Sequence, residues 1–205
     1  MAELTLYTNP MSRGRIARWM LEEVGAPYRA VVVSYGPPMK SPEHLARNPM
    51  GKVPALTFGD ETVTECAAIC AWLADSFPEA RLAPPSGQRA AYYRWLFFGA
   101  GCVEPAVAAA AGGFEGDPAR LGWGSLQAVA DALETAVAGP AAGRGWIAGA
   151  RFSAADVYIG AQIGWGLGFG ALPARDAFAA YWARASTREA YLRATALDDA
   201  DAAAS

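Results

Sequence analysis

Ser12 occupies a position where a hydroxyl group could stabilise a negatively charged sulfur atom. It lies in Asn9-Pro10-Met11-Ser12-Arg13, between a short strand pattern at residues 4–7 and a predicted helix. A helix N-terminus favours an anion, because its first N–H groups and its macrodipole present positive charge. Only a small fraction of a free thiol is ionised at neutral pH, and a charge-assisted hydrogen bond of about 1.5–3 kcal/mol would raise that fraction. Serine is also a common N-cap, so a purely capping role is the alternative.

Three neighbours of Ser12 could make the same hydrogen bond. Tyr7 carries a phenol near the end of the first strand, although its ring could instead pack in the core. Thr8 and Asn9 lie in the same turn and are further candidates. From the residue types alone, all four side chains stay open as partners of a thiolate.

A second candidate binding element is Asn48-Pro49-Met50-Gly51-Lys52-Val53-Pro54-Ala55-Leu56. The residue before a proline is disfavoured in the α region, so Asn-Pro ends a helix, and Gly51 permits a tight turn. Val53-Pro54 then opens a predicted strand, at a position where proline offers no N–H to the sheet. If this bond is cis, the N–H and C=O of Val53 would point outward, free to pair with an extended peptide.

Together with Thr64-Glu65-Cys66-Ala67-Ala68-Ile69, this motif resembles the glutathione-site signature of the cytosolic glutathione S-transferases, specifically the bacterial, serine-type members. The resemblance covers nearly the whole chain, with one departure: Cys66 stands where the family mostly has serine. It implies that Ser12, in its Pro-x-Ser setting, is the catalytic residue that activates the thiol. Tyr7 is the rival, because other classes of the family use a tyrosine near the end of the first strand.

The resemblance also implies which residues bind glutathione. Glu65 would pair with the ligand amine, while Cys66 and the helix N–H groups would hold the γ-glutamyl carboxylate. A thiol is a poor hydrogen-bond donor, so the backbone amides would carry more of that contact. Lys40 and Lys52 could pair with the glycyl carboxylate, although each could equally be a solvated lysine. The predicted glutathione-binding residues are Lys40, Lys52, Val53, Pro54, Glu65 and Cys66.

Other reactive patterns are weak. Cys66 and Cys70 share a helix face, but C-x-x-x-C is not the C-x-x-C spacing of redox motifs. His44 is the only histidine, which argues against a Ser-His-Asp triad and leaves too few ligands for zinc. The chain has no G-x-G-x-x-G and no P-loop motif, so we expect neither a metal nor a nucleotide cofactor.

The fold class predicted for the chain is α/β plus all-α. Residues 1–77 follow the order βαβ-α-ββα of a thioredoxin-like glutathione-binding domain, in which a crossover helix gives a parallel strand pair and a hairpin extends the sheet. Residues 78–87 are rich in proline and predict a linker. Residues 88–205 predict an all-helical bundle domain that contributes the electrophile pocket.

Within the helical domain, the pattern predicts helices over residues 88–111, 120–138, 154–168, 175–185 and 187–194. Ser153-Ala-Ala-Asp156 is typical of a capping box with Asp in place of Glu, a feature that the resemblance places in the core of this domain. The tail, residues 197–205, carries three aspartates and is expected to fray.

Composition limits the possible partners and location. The net charge is −3 and the pI is about 5.2, which argues against a nucleic-acid surface. We expect no membrane span and no signal peptide. The three cysteines are irregularly spaced, which is typical of a reducing compartment such as the cytoplasm.

The resemblance implies a glutathione transferase that attacks small electrophiles with a thiolate, acts in detoxification and forms a homodimer. Aromatic side chains of the helical domain are candidates for the electrophile pocket, although helical aromatic residues are more commonly core. These candidates are Tyr92, Trp95, Phe98, Phe114 and Trp165. The alternatives are a glutathione-dependent peroxidase, isomerase or dehalogenase, or a noncatalytic glutathione-binding or stress protein on the same fold.

Overall fold

The computed structural model describes residues 3–204, apart from the side chain of Ala141. Within this range the chain forms two compact units. One comprises the residues up to Arg81 together with those from Arg188 onward, and the other is Leu82–Thr187. None of the helices in this part of the chain is both long and apolar enough to cross a membrane.

The first unit contains a four-stranded mixed sheet and confirms the predicted thioredoxin-like fold. Its elements are β1 (Leu4–Thr8), α1 (Gly14–Val24), β2 (Arg29–Val32), α2 (Pro42–Arg47), β3 (Ala55–Phe58), β4 (Glu61–Thr64), α3 (Cys66–Ser76) and α9 (Glu189–Ala204). The strand order is β2-β1-β3-β4, with β1 parallel to β2 and antiparallel to β3. The Gly59-Asp60 turn joins β3 to β4, as the sequence predicts.

The alternation along β1 separates two faces of the sheet. Leu6 and Thr8 are fully buried and share one face, whereas Tyr7 points to the other. The Thr8 hydroxyl lies against the Cα of Gly14, so α1 covers the first face. The guanidinium of Arg47 lies 4.2 Å from the centroid of the Tyr7 ring, so α2 lies on the second face.

The second unit is helical, as predicted. Its helices are α4 (Ala90–Phe98), α5 (Glu104–Ala111), α6 (Leu126–Ala141), α7 (Ala154–Gly168) and α8 (Asp176–Ser186), with a π-helical segment, Gly99–Val103, joining α4 to α5. The predicted capping box at the start of α7 is present and buried: Asp156 accepts hydrogen bonds from the N–H and hydroxyl of Ser153. Burial raises the pKa of the Asp156 carboxyl, and these hydrogen bonds oppose the shift.

Two helices in this unit differ from the prediction, one in where it begins and one in its continuity. The helix expected over residues 120–138 begins only at Leu126, because Gly122 and Gly124 precede it and the hydroxyl of Ser125 caps it by accepting from Ala128 N–H. The helix expected over residues 88–111 is interrupted by the π-helical segment. There Gly99 packs so closely on the Tyr158 ring that a Cβ would lie 2.6 Å from it.

The expectation that the tail frays is wrong for residues 197–204, which continue α9 as a regular helix. Asp198 is 1% exposed and lies 3.1 Å from Nε of the buried Arg18. Asp201 and Asp199 pair with Arg18 and Arg15 at 2.5 and 2.7 Å. Aspartates that look solvated in the sequence are thus held by cations of α1, and α9 packs with the thioredoxin-like unit. The domain boundary at residues 78–87 stays a prediction.

Candidate functional site

The candidate site lies where three loops meet at one end of the sheet. Tyr7 of β1 pairs with Ala55 of β3, and Ala55 pairs with Thr64 of β4. The Ser12 turn follows the end of β1, Val53 precedes β3, and Glu65 follows β4. The register therefore brings these predicted elements to the same edge, although they are far apart in sequence.

The Ser12 turn is internally hydrogen-bonded. The Ser12 hydroxyl donates to the C=O of Asn9 (2.7 Å) and accepts from the N–H of Gly14 (2.9 Å). The side chain of Asn9 braces the turn by accepting from Met11 N–H and donating to Val33 C=O. Ser12 is half-buried and lies between two exposed residues, Met11 and Arg13.

The rivals of Ser12 are placed differently. The Thr8 hydroxyl is fully buried, and no hydrogen-bond partner is found for it among the described residues. Asn9 is 7% exposed and commits its side chain to the turn. The Tyr7 ring packs under Arg47 on the face opposite α1. Of the four candidates, Ser12 is the one that combines a hydroxyl, partial exposure and a position at the start of α1.

The loop before β3 has the shape that its motif predicts. The Val53–Pro54 bond is cis, and Gly51 adopts a φ of +59°. The C=O of Lys52 accepts from Nδ2 of Asn48 (2.9 Å) and lies 3.0 Å from Nε2 of His44. We find no hydrogen bond from the N–H or C=O of Val53 to another residue in the range 3–204. The backbone of Val53 is therefore open to an external partner.

The two predicted lysines are both exposed. Lys40 donates through Nζ to the C=O of Met50 (2.9 Å), so its ammonium group lies at the turn before Val53. Gly51 is needed in this turn, because a Cβ there would lie 2.7 Å from both Lys40 Nζ and the C=O of Met39. The side chain of Lys52 points to solvent, and it is its carbonyl that is bound.

The start of α3 is built around Glu65 and Cys66. Glu65 is exposed and has a φ of +69°, a left-handed conformation that costs a residue with a Cβ about 1–3 kcal/mol. Its side chain makes no capping hydrogen bond to α3. The Cys66 thiol donates to the C=O of Arg13 (3.4 Å), next to Ser12. This contact joins the beginnings of α1 and α3.

Cys70 lies one turn further into α3 and is fully buried. Burial raises the pKa of its thiol well above the ordinary value, and the nearby Cys66 adds to the shift. Both cysteines are free thiols. A buried thiol that resists ionisation is a poor redox partner.

The five aromatic candidates for the electrophile pocket are spread through the helical unit. Tyr92 and Trp95 are buried, Phe98 and Trp165 are half-buried, and Phe114 is 58% exposed. Of these, Trp95 and Phe98 contact each other, with ring centroids 5.3 Å apart. Their role in a pocket stays a prediction. Among residues 3–204 we find no cluster of three His, Cys, Asp or Glu side chains that could hold a metal ion.

Sequence reasoning missed the residues that support the site from α2. His44 and Asn48 hold the Lys52 carbonyl, and Arg47 covers Tyr7. The available signal was the proximity of both residues to the Asn48-Pro49 helix end, since His44 lies in the last turn of α2 and Asn48 follows it. Which carbonyl they would reach depends on how α2 packs on the sheet.

Comparisons with known proteins point to one family. The family described as "Glutathione S-transferase, N-terminal domain" matches residues 11–76. Glutathione S-transferase GST-4.5 of Xanthomonas campestris pv. campestris is 30% identical over 189 residues, which are 85% of this chain and 90% of that protein. Glutathione S-transferase 1 of Zea mays is 46% identical over 77 residues, but that match covers only 36% of either chain.

A solved structure extends the likeness to the whole fold. A sphingomonad glutathione S-transferase complexed with glutathione matches 95% of this chain and 98% of its own. The TM-score is 0.71 at 29% sequence identity.

Proposed function

Because this chain belongs to the glutathione S-transferase family, we propose that it binds glutathione as a co-substrate and activates its thiol for attack on small electrophiles. In the proposed step the thiolate sulfur forms a bond to an electrophilic carbon. A leaving group such as chloride departs with the bonding electrons, or the sulfur adds to an activated double bond. The chain's own part is to lower the pKa of the thiol and to hold it near the electrophile.

The observation that carries the proposal is the hydrogen-bond state of the Ser12 hydroxyl. Its oxygen accepts from Gly14 N–H, which polarises the O–H group and makes it a better donor. Its proton is held by Asn9 C=O, a neutral contact that contributes about 1 kcal/mol. A contact to a thiolate contributes about 1.5–3 kcal/mol, so rotation of the hydroxyl toward a bound sulfur is favourable.

We assign the γ-glutamyl end of glutathione to the start of α3. Glu65 is exposed and supplies a carboxylate for the ligand amine. The first N–H groups of a helix have no intrahelical acceptor and suit a carboxylate. Because the Cys66 thiol points to Arg13 C=O, the backbone amides carry the carboxylate contact here.

We assign the rest of the tripeptide to the loop before β3. Val53, next to the cis Pro54, offers its backbone N–H and C=O to the cysteinyl residue. Lys40, whose ammonium group lies at the same turn, is placed to pair with the glycyl carboxylate, and Lys52 is the second cation available. The apolar wall for the electrophile is assigned to the five aromatic residues of the helical unit.

The wider setting of the protein is also part of the proposal. We expect a homodimer that acts in the cytoplasm in detoxification and uses neither a metal nor a nucleotide. Size-exclusion chromatography with light scattering tests the oligomeric state. A second function, noncatalytic glutathione binding, is favoured by one observation: Cys66 replaces the serine of the family and directs its thiol to the protein backbone.

Conjugation of glutathione to chloro-dinitrobenzene tests the proposal. We expect Ser12→Ala to lower kcat/KM about ten- to a hundredfold, the loss of one charge-assisted hydrogen bond, and Tyr7→Phe to change it less than about threefold. Glutathione binding without turnover of this substrate or of a peroxide would favour the binding protein. Turnover of peroxide alone would favour a peroxidase. Absence of glutathione binding would overturn the proposed transferase and both alternatives.

A further inference from the structure

His44, the single histidine of the chain, is buried in α2 and touches the site through one backbone carbonyl. Its Nε2 lies 3.0 Å from the C=O of Lys52, and Nδ2 of Asn48 donates to the same oxygen at 2.9 Å. A carbonyl oxygen only accepts hydrogen bonds, so Nε2 of His44 carries the proton and donates. Two side chains one helical turn apart thus hold a single carbonyl.

The other ring nitrogen of His44, Nδ1, makes no hydrogen bond to the described part of the chain. Nδ1 is buried and meets no hydrogen-bond partner among residues 3–204. An unsatisfied buried polar atom, whether donor or acceptor, destabilises a fold. An apolar ring would fill this space without that cost. What histidine adds over an apolar ring here is the Nε2 donor.

The bound carbonyl fixes the direction of a neighbouring donor. Lys52 C=O and Val53 N–H belong to one planar peptide unit, and this unit is trans, since the cis bond is the next one along the chain. In a trans unit the C=O and N–H point in opposite directions. Holding the C=O toward α2 therefore turns the Val53 N–H away from α2, where it meets no acceptor within the described residues.

We propose that His44 is a positioning residue for the thiol peptide. Through Lys52 C=O it orients the Val53 N–H to donate to the backbone carbonyl of the cysteinyl residue of glutathione. The inference rests on the proposed function and adds a residue that acts without touching the ligand. It also explains why His44 of α2 and Asn48, which follows the end of α2, both reach the same carbonyl of the loop.

Two variants of His44 separate the effect of the Nε2 donor from the effect of the ring shape. The amide of Gln can place an N–H where Nε2 lies, whereas Phe keeps the ring shape without a donor. We expect His44→Phe to raise the Kd and KM for glutathione about tenfold with kcat changed less than about twofold, and His44→Gln to stay within about threefold of wild type. Ala46→Gln, an exposed change on the same helix, is the control and should behave as wild type.

Amide hydrogen exchange at Val53 gives a readout that a merely structural role would not move. Glutathione should slow this exchange in wild type and in His44→Gln, but much less in His44→Phe. If His44→Phe does not fold, His44→Asn replaces it, because the shorter amide mimics Nδ1 and cannot reach Lys52. Equal protection of Val53 and equal Kd in donor and non-donor variants would overturn the role of His44. Failure of the wild type to bind glutathione would instead overturn the proposed function.

Discussion

The N-termini of α3 and α6 are built in different ways. Helix α6 begins at a serine in extended conformation, and the Ser125 hydroxyl accepts from Ala128 N–H at 3.1 Å. Helix α3 begins at Glu65, whose φ is +69° and whose side chain makes no capping hydrogen bond. A helix that caps itself satisfies its first N–H groups within the fold, whereas an uncapped end after a strained residue is suited to a ligand.

Under the proposed function, this contrast assigns the start of α3 to a ligand carboxylate and leaves α6 as a structural element. It also separates the two roles that a serine hydroxyl can take at a helix start. Ser125 accepts from Ala128 N–H, while Ser12 accepts from Gly14 N–H and also donates its proton to Asn9 C=O. Adding a charge at the open end of α3 should therefore weaken ligand binding, whereas removing the cap of α6 should lower stability alone.

Placing a carboxylate in the first turn of α3 should have the largest effect. Ala68 is exposed there, so Ala68→Asp fits without a clash and matches the helix dipole. Repulsion of a ligand carboxylate at about 5 Å is about 3 kcal/mol at an effective dielectric of 20, which is roughly a hundredfold increase in glutathione Kd at low salt. Isothermal titration calorimetry measures it.

The neutral isostere Ala68→Asn is the control and should leave the Kd within about threefold. Raising the salt concentration should shrink the effect of Ala68→Asp, because exposed charges are screened. An unchanged Kd in Ala68→Asp would mean that no ligand carboxylate lies at the start of α3.

The next largest effect is expected from the buried carboxylate of Asp198, which should make the free energy of unfolding depend on pH. Burial raises the pKa of Asp198 to about 6, against the opposing effect of Arg18. The folded state therefore binds more protons than the unfolded state between about pH 4 and pH 6, and the stability supplied by this group falls as the pH rises through that window. The change is on the order of 2 kcal/mol.

Chemical denaturation at a series of pH values tests this. Relative to Asp198→Asn, which mimics the protonated carboxyl, the wild type should lose free energy of unfolding from pH 4 to pH 7. Parallel pH curves for the two proteins would show that Asp198 titrates alike in the folded and unfolded states.

The smallest effect is expected from removing the cap of α6. Ser125→Ala should lower the free energy of unfolding by about 1 kcal/mol, since Ala128 N–H loses its acceptor. Glutathione Kd should not change, because α6 takes no part in the proposed binding site. A loss of affinity together with stability would remove the distinction between the two helix ends.

Sequence reasoning succeeded where one short segment carries its own signal. Gly51 and the Val53-Pro54 pair predicted the turn and the strand start before β3, and the Ser153-x-x-Asp156 spacing predicted a buried capping box. These features depend on neighbours along the chain, so local chemistry was enough to find them.

Sequence reasoning failed where the interaction partner of a residue is distant in sequence. Asp198 looked like part of a solvated tail, because nothing local indicates that Arg18 is buried beside it. His44 looked unrelated to the site, because its bond to Lys52 exists only once α2 packs on the sheet. The hydrogen-bond partners of Ser12 likewise required the folded turn.

The most direct test of the account is the ionisation of glutathione in its complex with this protein, followed by thiolate absorbance as the pH is raised. We expect binding to the wild type to lower the thiol pKa by about two units from its free value near 8.5. In the Ser12→Ala complex the pKa should return close to the free value. A bound thiol that stays protonated in the wild type up to its free pKa, or an equal pKa in the two complexes, would contradict the account.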